Sequence, residues 1–277
     1  MVKKLYLRGK NRIIQLENVA DEKFWDQRWD IKNNNDSVKN ILDTTSKLVV
    51  DKTSEYLKKN SKILEGGCGM GDKVYNLKIA GFDSHGIDFA TKTVKFLNEN
   101  HPDLNIILGD VRKLPFKDSS FDGYWSLGVI EHFYEGYDDI SDEMFRVLKK
   151  GGYLFLTVPT FSLLRKIKAY FGFYKRVDYS KIISKNFYQY LISKEELIKH
   201  FESKGFESIE YSYRGGIRGL IDELGIKINT TRISEFKNTQ TRKKSIMSSL
   251  LNLITNFLNK VLKNFSPHTV FIVFRKK

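Results

Sequence analysis

The chain has 277 residues, 41% of them hydrophobic, with one cysteine and a formal net charge of +14. This supports a substantial α/β core, excludes an intrachain disulfide and a cysteine-built metal cluster, and offers no apolar run of the roughly 18 residues a spanning helix needs. Lys3, Lys4 and Arg8 are followed by no apolar segment, so no secretory signal is expected and a reducing, cytoplasmic setting fits.

Residues 1–59 read as an N-terminal helical cap. Within it, 21–30 form a short helix with Phe24, Trp25 and Trp29 on one side, and Asn33 to Asp36 a polar loop. Residues 37–59 form a second helix, with Val38, Ile41, Leu42, Leu48, Val49 and Leu57 at helical spacing. Strands and helices then alternate: strand 62–65, helix 72–80, strand 84–88, helix 91–100, strands 105–108 and 121–126, helix 138–150 and strand 153–158. Such an alternation predicts βαβ units and a parallel sheet with helices on both faces. Gly151-Gly152 suits a helix stop.

Residues 160–192 are aromatic and basic and read as an insert over the substrate side. Ser193 and Glu196 make a capping box for a helix over 193–204, which Gly205 ends before a strand over 206–213. Residues 214–265 read as a basic helical insert whose second part, 244–265, is amphipathic, and 269–274 is a final strand. The fold class is therefore α/β, a Rossmann-like doubly wound sheet built from 60–213 and 266–277. Charge is uneven along it: 13 basic and 9 acidic residues in 1–59 (net +4), 11 and 15 in 60–158 (net −4), 23 and 9 in 159–277 (net +14).

The strongest chemical signal is Ile63 to Gly71, ILEGGCGMG, a strand end running through glycines into a helix. Glycine lets a ligand approach the backbone, and the helix start leaves N–H groups free. Two features argue against a dinucleotide. Glu65 would repel phosphate, and Gly67-x-Gly69 is followed by Asp72 where the fingerprint needs a third glycine. An acidic residue there suits a cationic ligand. Asp88 ends the second strand, placed to accept ribose hydroxyls, and Asp110 follows the third, placed to accept an adenine amino group. Three acids at successive strand ends face the crevice where open α/β sheets bind ligands.

LEGGCGMG, HGIDFA, GDVRKLPFKDSSFDGYWSLGVIEHF and LKKGGYLFLTVP resemble the successive motifs of class I S-adenosylmethionine-dependent methyltransferases, in the branch with small-molecule and ubiquinone-type enzymes. The resemblance covers about residues 60–160, more loosely KEELIKHFESKGFESIEYSYR and HTVFIVFRKK. It implies a seven-stranded sheet with the last strand antiparallel, and S-adenosyl-L-methionine as cofactor. It places Glu65, Gly67 and Gly69 at the methionine end, Asp88 at the ribose, Phe89 beside the adenine, Asp110 and Val111 at the adenine rim, and Leu127 under the methyl donor. Gly66 stands where a larger apolar residue is common, and is expected to be tolerated. The pattern of Phe24, Trp25, Arg28 and Trp29 also precedes the glycine motif in relatives, which favours a lid over a packing role.

Methyl transfer from a sulfonium needs mainly positioning, and an oxygen acceptor also gains from a base. Glu131 and His132 are the candidate catalytic residues, with His132 as the expected base. Ubiquinone-type relatives carry a glutamate three before this pair and the trio can hold a metal; Gly128 stands there, so no metal is expected. The fourth strand lacks the Asn/Asp-Pro-Pro-aromatic motif of base-flipping enzymes, and Cys68 lies in the glycine turn, so DNA is not the expected substrate. The expected reaction is transfer to oxygen of a small or lipid-linked acceptor. Segments 161–176 and 244–265 are basic and aromatic or amphipathic, fit for an anionic membrane surface or for packing as lids. An RNA methyltransferase using the basic C-terminal part and a non-catalytic S-adenosylmethionine-binding protein are the alternatives.

Overall fold

The computed structural model describes residues 3–17, 19–29, 44–179, 186–226, 257–258 and 260–277. Its frame is a seven-stranded sheet of β3 (Lys62–Gly66), β4 (Asp83–Asp88), β5 (Ile106–Leu108), β6 (Phe121–Leu127), β7 (Leu148–Pro159), β10 (Phe206–Arg214) and β11 (Thr269–Lys276), in the order β10-β11-β7-β6-β3-β4-β5. The strands β5 to β7 across β4, β3 and β6 pair in parallel, and β11 runs antiparallel to both neighbours. The expected α/β sheet with its antiparallel last strand is thus the one observed. Ile63 and Leu64 on successive positions of β3 are both fully buried, as a strand covered on both faces requires.

Helices α3 (Asp72–Ile79), α4 (Thr91–Asn100) and α5 (Asp138–Val147) follow the strands as expected. The last of these stops three residues before its predicted end, because β7 begins at Leu148 and carries the left-handed Gly151 (φ 78°) inside it. On one face, Trp125 stacks on Phe155 at 4.4 Å and Phe271 at 5.8 Å. Its indole N–H donates to Thr53 Oγ1 at 2.9 Å, pinning α2 (Thr44–Tyr56) to the sheet. The other face packs α7 (Lys194–Ser203) through Leu197 and Phe201. Ser193 caps α7 by accepting from the Glu196 N–H, as read from sequence.

The N-terminus departs from the expected helical cap. Residues 3–16 form a hairpin, β1 (Lys3–Leu7) and β2 (Arg12–Leu16), turned at Asn11 in the left-handed region (φ 47°). Among the described residues there, α1 (Glu22–Arg28) and α2 are helical; the Asn33–Asp36 loop and the first part of the helix expected over 37–59 lie outside the described residues. The hairpin is completed by the 160–192 insert, which holds α6 (Leu163–Tyr170), β8 (Lys175–Val177) and β9 (Phe187–Leu191). The second sheet runs β8-β1-β2-β9. Leu5, Leu7 and Ile14 join the main core while Ile13 packs with Phe161, Ala169 and Tyr174.

Buried ions lock this unit to α8 (Gly216–Leu224). Glu223 is met by Lys4 at 2.6 Å, Lys168 at 2.7 Å and Arg165 at 2.9 Å, and the Tyr174 hydroxyl donates to it as well. Arg165 also donates to the Thr160 carbonyl at 2.6 Å. One carboxylate thereby gathers three segments. A buried pair like this is costly to break because it leaves an unmatched charge behind. Of the 214–265 insert, α8 and a short piece around 257–262 are described, and the bulk of the amphipathic 244–265 segment lies outside.

Candidate functional site

The glycine turn closes over the end of β3. Gly67 and Cys68 both donate to the Ile87 carbonyl, at 2.8 and 3.1 Å, so the turn is tied to β4. Gly67, Gly69 and Gly71 all have positive φ, where a side chain is strained. A Cβ on Gly69 would fall 2.5 Å from Trp29 Cζ2, and one on Gly67 2.6 Å from Val129 Cγ2. Trp29 therefore lies directly on the turn. Asp26 holds its helix there by accepting from the Lys92 and Thr93 N–H groups at 3.1 Å, at the start of α4. Gly66 has its own neighbour: a Cβ would sit 2.0 Å from the Tyr124 hydroxyl, so the tyrosine occupies the space a larger residue would take.

The turn borders a cavity of about 1310 Å³ lined by Glu65, Gly67, Asp88, Phe89, Asp110, Val111, Leu127, Glu131 and His132; Gly69, the remaining residue named from sequence, does not line it and lies against Trp29. Glu65 is buried, and among the described residues its Oε2 has no hydrogen-bond partner. Burial, then the charge of Asp72, push its carboxyl well above the ordinary range. A buried carboxyl with one oxygen unpaired, beside glycine backbone, fits a cationic ammonium, so the residues present suit the amino-acid end of the expected cofactor.

Asp88 is engaged already. Its Oδ2 accepts from Gly69 N at 2.7 Å and its Oδ1 from Ala90 N at 2.9 Å, so it braces the glycine turn as well as facing the cavity. Burial raises its pKa against those bonds. Asp110 is placed less simply than sequence suggests. It forms a two-pronged pair with the Arg112 side chain and accepts from the Arg112 N–H at 2.8 Å. Burial works upward on it, and the Arg112 bonds outweigh that and hold it below its ordinary value.

Glu131 and His132 sit on a single 3-10 turn, Ile130–His132, beyond β6. His132 Nδ1 lies 2.8 Å from the Tyr188 carbonyl on β9. A carbonyl only accepts, so Nδ1 carries the proton and Nε2 keeps a lone pair. Trp25 and Tyr188 stand edge-on to the ring at 5.1 and 5.0 Å. Burial, with a contribution from Arg28, lowers its pKa to about 4 against the pull of the carbonyl. Glu131 is 1% exposed and its Oε2 has no partner among the described residues. Burial pushes it up to about 8.

Sequence reasoning did not single out Tyr188, Arg214, Arg218 or His268, which also line the cavity. For Arg214 a signal existed: it closes a strand and precedes Gly215-Gly216, on the same carboxyl edge as Asp88. Tyr188 acts through a backbone carbonyl, which no residue pattern reveals.

The profile of a methyltransferase domain matches residues 64–156. Demethylmenaquinone methyltransferase of Staphylococcus aureus (strain JH9) is 31% identical over 191 residues, covering 62% of this chain and 78% of the relative. The protein of the same description from Staphylococcus carnosus is 30% identical over 224 residues, covering 73% and 91%. Among solved structures, PH0226 protein from Pyrococcus horikoshii OT3 superimposes with a TM-score of 0.54 at 17% identity, covering 91% of this chain and 99% of that one.

Proposed function

Because the chain belongs to the class I S-adenosylmethionine-dependent methyltransferases, with S-adenosyl-L-methionine as its methyl donor and a small molecule as its acceptor, we propose that Glu131 and His132 prepare an acceptor hydroxyl for methylation at oxygen. The observation that carries this reading is the buried, unpartnered Glu131 carboxyl beside an imidazole of fixed tautomer. Glu65 takes the ammonium of the donor, Gly67 and Gly69 leave room for its chain, Asp88 takes the ribose, Phe89, Asp110 and Val111 border the adenine, and Leu127 lies under the methyl. When bound, the sulfonium supplies an electrophilic methyl, whose bond to sulfur breaks as the bond to the acceptor oxygen forms.

The acceptor proton goes to Glu131. Sequence pointed to His132, but burial raises the Glu131 carboxyl and lowers the His132 imidazole, which favours the carboxylate as proton acceptor. His132 then orients: its Nε2 lone pair accepts from the acceptor hydroxyl, and its ring is held by Tyr188, Trp25 and the second sheet. We place that sheet and residues 160–192 over the acceptor side, as the substrate lid.

A second reading draws on the relatives, whose name specifies demethylmenaquinone. A quinol ring would present a hydroxyl to the same pair, and its oxyanion would direct the methyl to ring carbon. Incubation with a deuterium-labelled methyl donor, followed by nuclear magnetic resonance of the product, separates an O-methyl from a ring methyl.

For the cofactor half, Asp88→Ala is expected to weaken S-adenosylmethionine binding tenfold or more in calorimetry, about 1.4 kcal/mol. Unchanged affinity would remove Asp88 from the binding site.

An apolar acceptor fits a membrane-facing enzyme. No helix among the described residues is long and apolar enough to cross a membrane. The 161–176 segment is two-sided: Phe161, Arg165, Ala169 and Tyr174 are buried, while Tyr170, Phe171 and Phe173 are 70–78% exposed. Lys175 and Arg176 stand exposed beside them. Leu164 donates to the Phe265 carbonyl at 2.9 Å, and Phe257 and Val261 are exposed as well. Aromatic groups with a basic rim suit anionic headgroups. Co-sedimentation with anionic vesicles at low salt, lost in Phe171→Ser/Phe173→Ser, is the expected result; equal binding of the variant would refute the assignment.

A further inference from the structure

The cavity is electrically divided. Glu65, Asp88 and Asp110 line it along β3 to β5, where the cationic cofactor fits. Across it, where β10 ends and β11 begins, the lining residues include Arg214, Arg218 and His268. Arg214 is the last residue of β10 and registers with Thr269 on β11. The chain then turns through Gly215 in the left-handed region (φ 68°) into α8, so that Arg218 falls in its first turn. A Cβ on Gly215 would lie 3.7 Å from Arg218 Cβ and 3.1 Å from His268 Cβ, so the two arginines and the histidine leave one corner.

Their partners differ. His268 Nδ1 lies 2.6 Å from Asp222 Oδ2, so it brings no net charge. Asp222 also lies 4.0 Å from Arg165, and its backbone carbonyl accepts from Lys4 at 3.1 Å. Neither Arg214 nor Arg218 has a carboxylate partner among the described residues, although Arg214 is half-buried. Burial alone acts on Arg214, lowering its pKa. A partly desolvated guanidinium with no counter-charge is unfavourable, and a neutral ring in the cavity leaves it so.

We propose that Arg214 and Arg218 form a phosphate-binding subsite, so that the methyl acceptor carries a phosphate or diphosphate group. Two guanidinium forks match a dianion in charge and can each donate two parallel bonds to its oxygens, whereas one would serve a carboxylate. The phosphate would anchor the acceptor at the β10 edge while its hydroxyl reaches Glu131 and His132. This rests on the reading of the cavity as the acceptor site. It sets the acceptor apart from a neutral quinone, and the anion could arrive on a free metabolite or on a lipid headgroup.

The test uses the full chain saturated with S-adenosylhomocysteine and titrated with inorganic phosphate and diphosphate. Wild type is expected to bind at least one of them, and Arg214→Gln/Arg218→Gln to bind it at least tenfold more weakly, with S-adenosylmethionine affinity within twofold of wild type. Arg214→Lys/Arg218→Lys keeps the charge without the forks and is expected to fall between the two, which guards against a folding defect in the glutamine variant. No phosphate binding by wild type, or equal binding by the glutamine variant, overturns the proposal. So does a parallel loss of cofactor affinity, which would assign the arginines to the donor's own carboxylate. Vesicles containing phosphatidic acid identify the source: capture that depends on both arginines marks a lipid phosphate, while binding confined to soluble diphosphate marks a free one. A failure here leaves the Glu131 pH profile untouched, so the two readings fall separately.

Discussion

Glu131→Gln is expected to lower kcat by about 10²–10⁴-fold, the usual range for loss of a general base, with S-adenosylmethionine affinity unchanged. The wild-type rate has a characteristic pH course. The carboxyl titrates at about 8, and only its ionised form accepts a proton, so kcat rises with pH up to about 8 and then levels. In the glutamine variant that slope disappears. A slope that survived would belong to the acceptor's own hydroxyl and would remove Glu131 from the reaction. Stability should move the other way. The folded pKa lies above the ordinary 4.5, so the folded state holds the proton more tightly, and stability is lost as pH rises from about 4.5 to about 8. Glutamine has no charge to bury and is expected to raise the Tm above pH 8, a gain in stability at the expense of function. Melting curves of both proteins at pH 5 and pH 9 check the sign.

The second large effect concerns Gly66. A Cβ there would be 2.0 Å from the Tyr124 hydroxyl oxygen and 2.7 Å from its Cζ, and Tyr124 is fully buried. Gly66→Ala is therefore expected to cost about 1–3 kcal/mol through overpacking. Tyr124→Leu in the same chain should recover part of the loss, giving a coupling of about 1 kcal/mol or more between the two sites. Tyr124→Phe by itself is expected to be neutral or stabilising, because the hydroxyl is buried without a partner among the described residues. Denaturant melts of wild type, Gly66→Ala, Tyr124→Leu, their double variant and Tyr124→Phe decide it, and additive losses would mean that glycine and tyrosine are not matched.

The central sheet was legible because its signals are local. Most strands from 62 to 158 are short apolar runs, β4 (DSHGID) being read from its place between helices, and Glu65, Asp88 and Asp110 follow from counting strand ends. The second sheet was not legible for the opposite reason. β8 has three residues and β1 and β2 five each, too short for periodicity, and what buries them comes from distant sequence. Electrostatic tuning was equally hidden. Nothing in the pair Glu131-His132 tells that burial separates the two groups in opposite directions, because that depends on Trp25 and Tyr188 arriving from elsewhere.

The distance between the hairpin and its partners also shapes how this protein can be made. β2 registers Ile13 with Leu191 and Leu16 with Phe187. A two-stranded hairpin is marginally stable in water by itself, and a ribosome adding about 5–20 residues per second needs on the order of 10–30 s to deliver the matching strand. Through that interval Leu5, Leu7, Ile13 and Ile14, all buried in the finished protein, are without their final cover. The hairpin is thus made well before the strand that secures it. The nascent chain exposes these apolar residues to aggregation or chaperone capture until translation has passed Leu191.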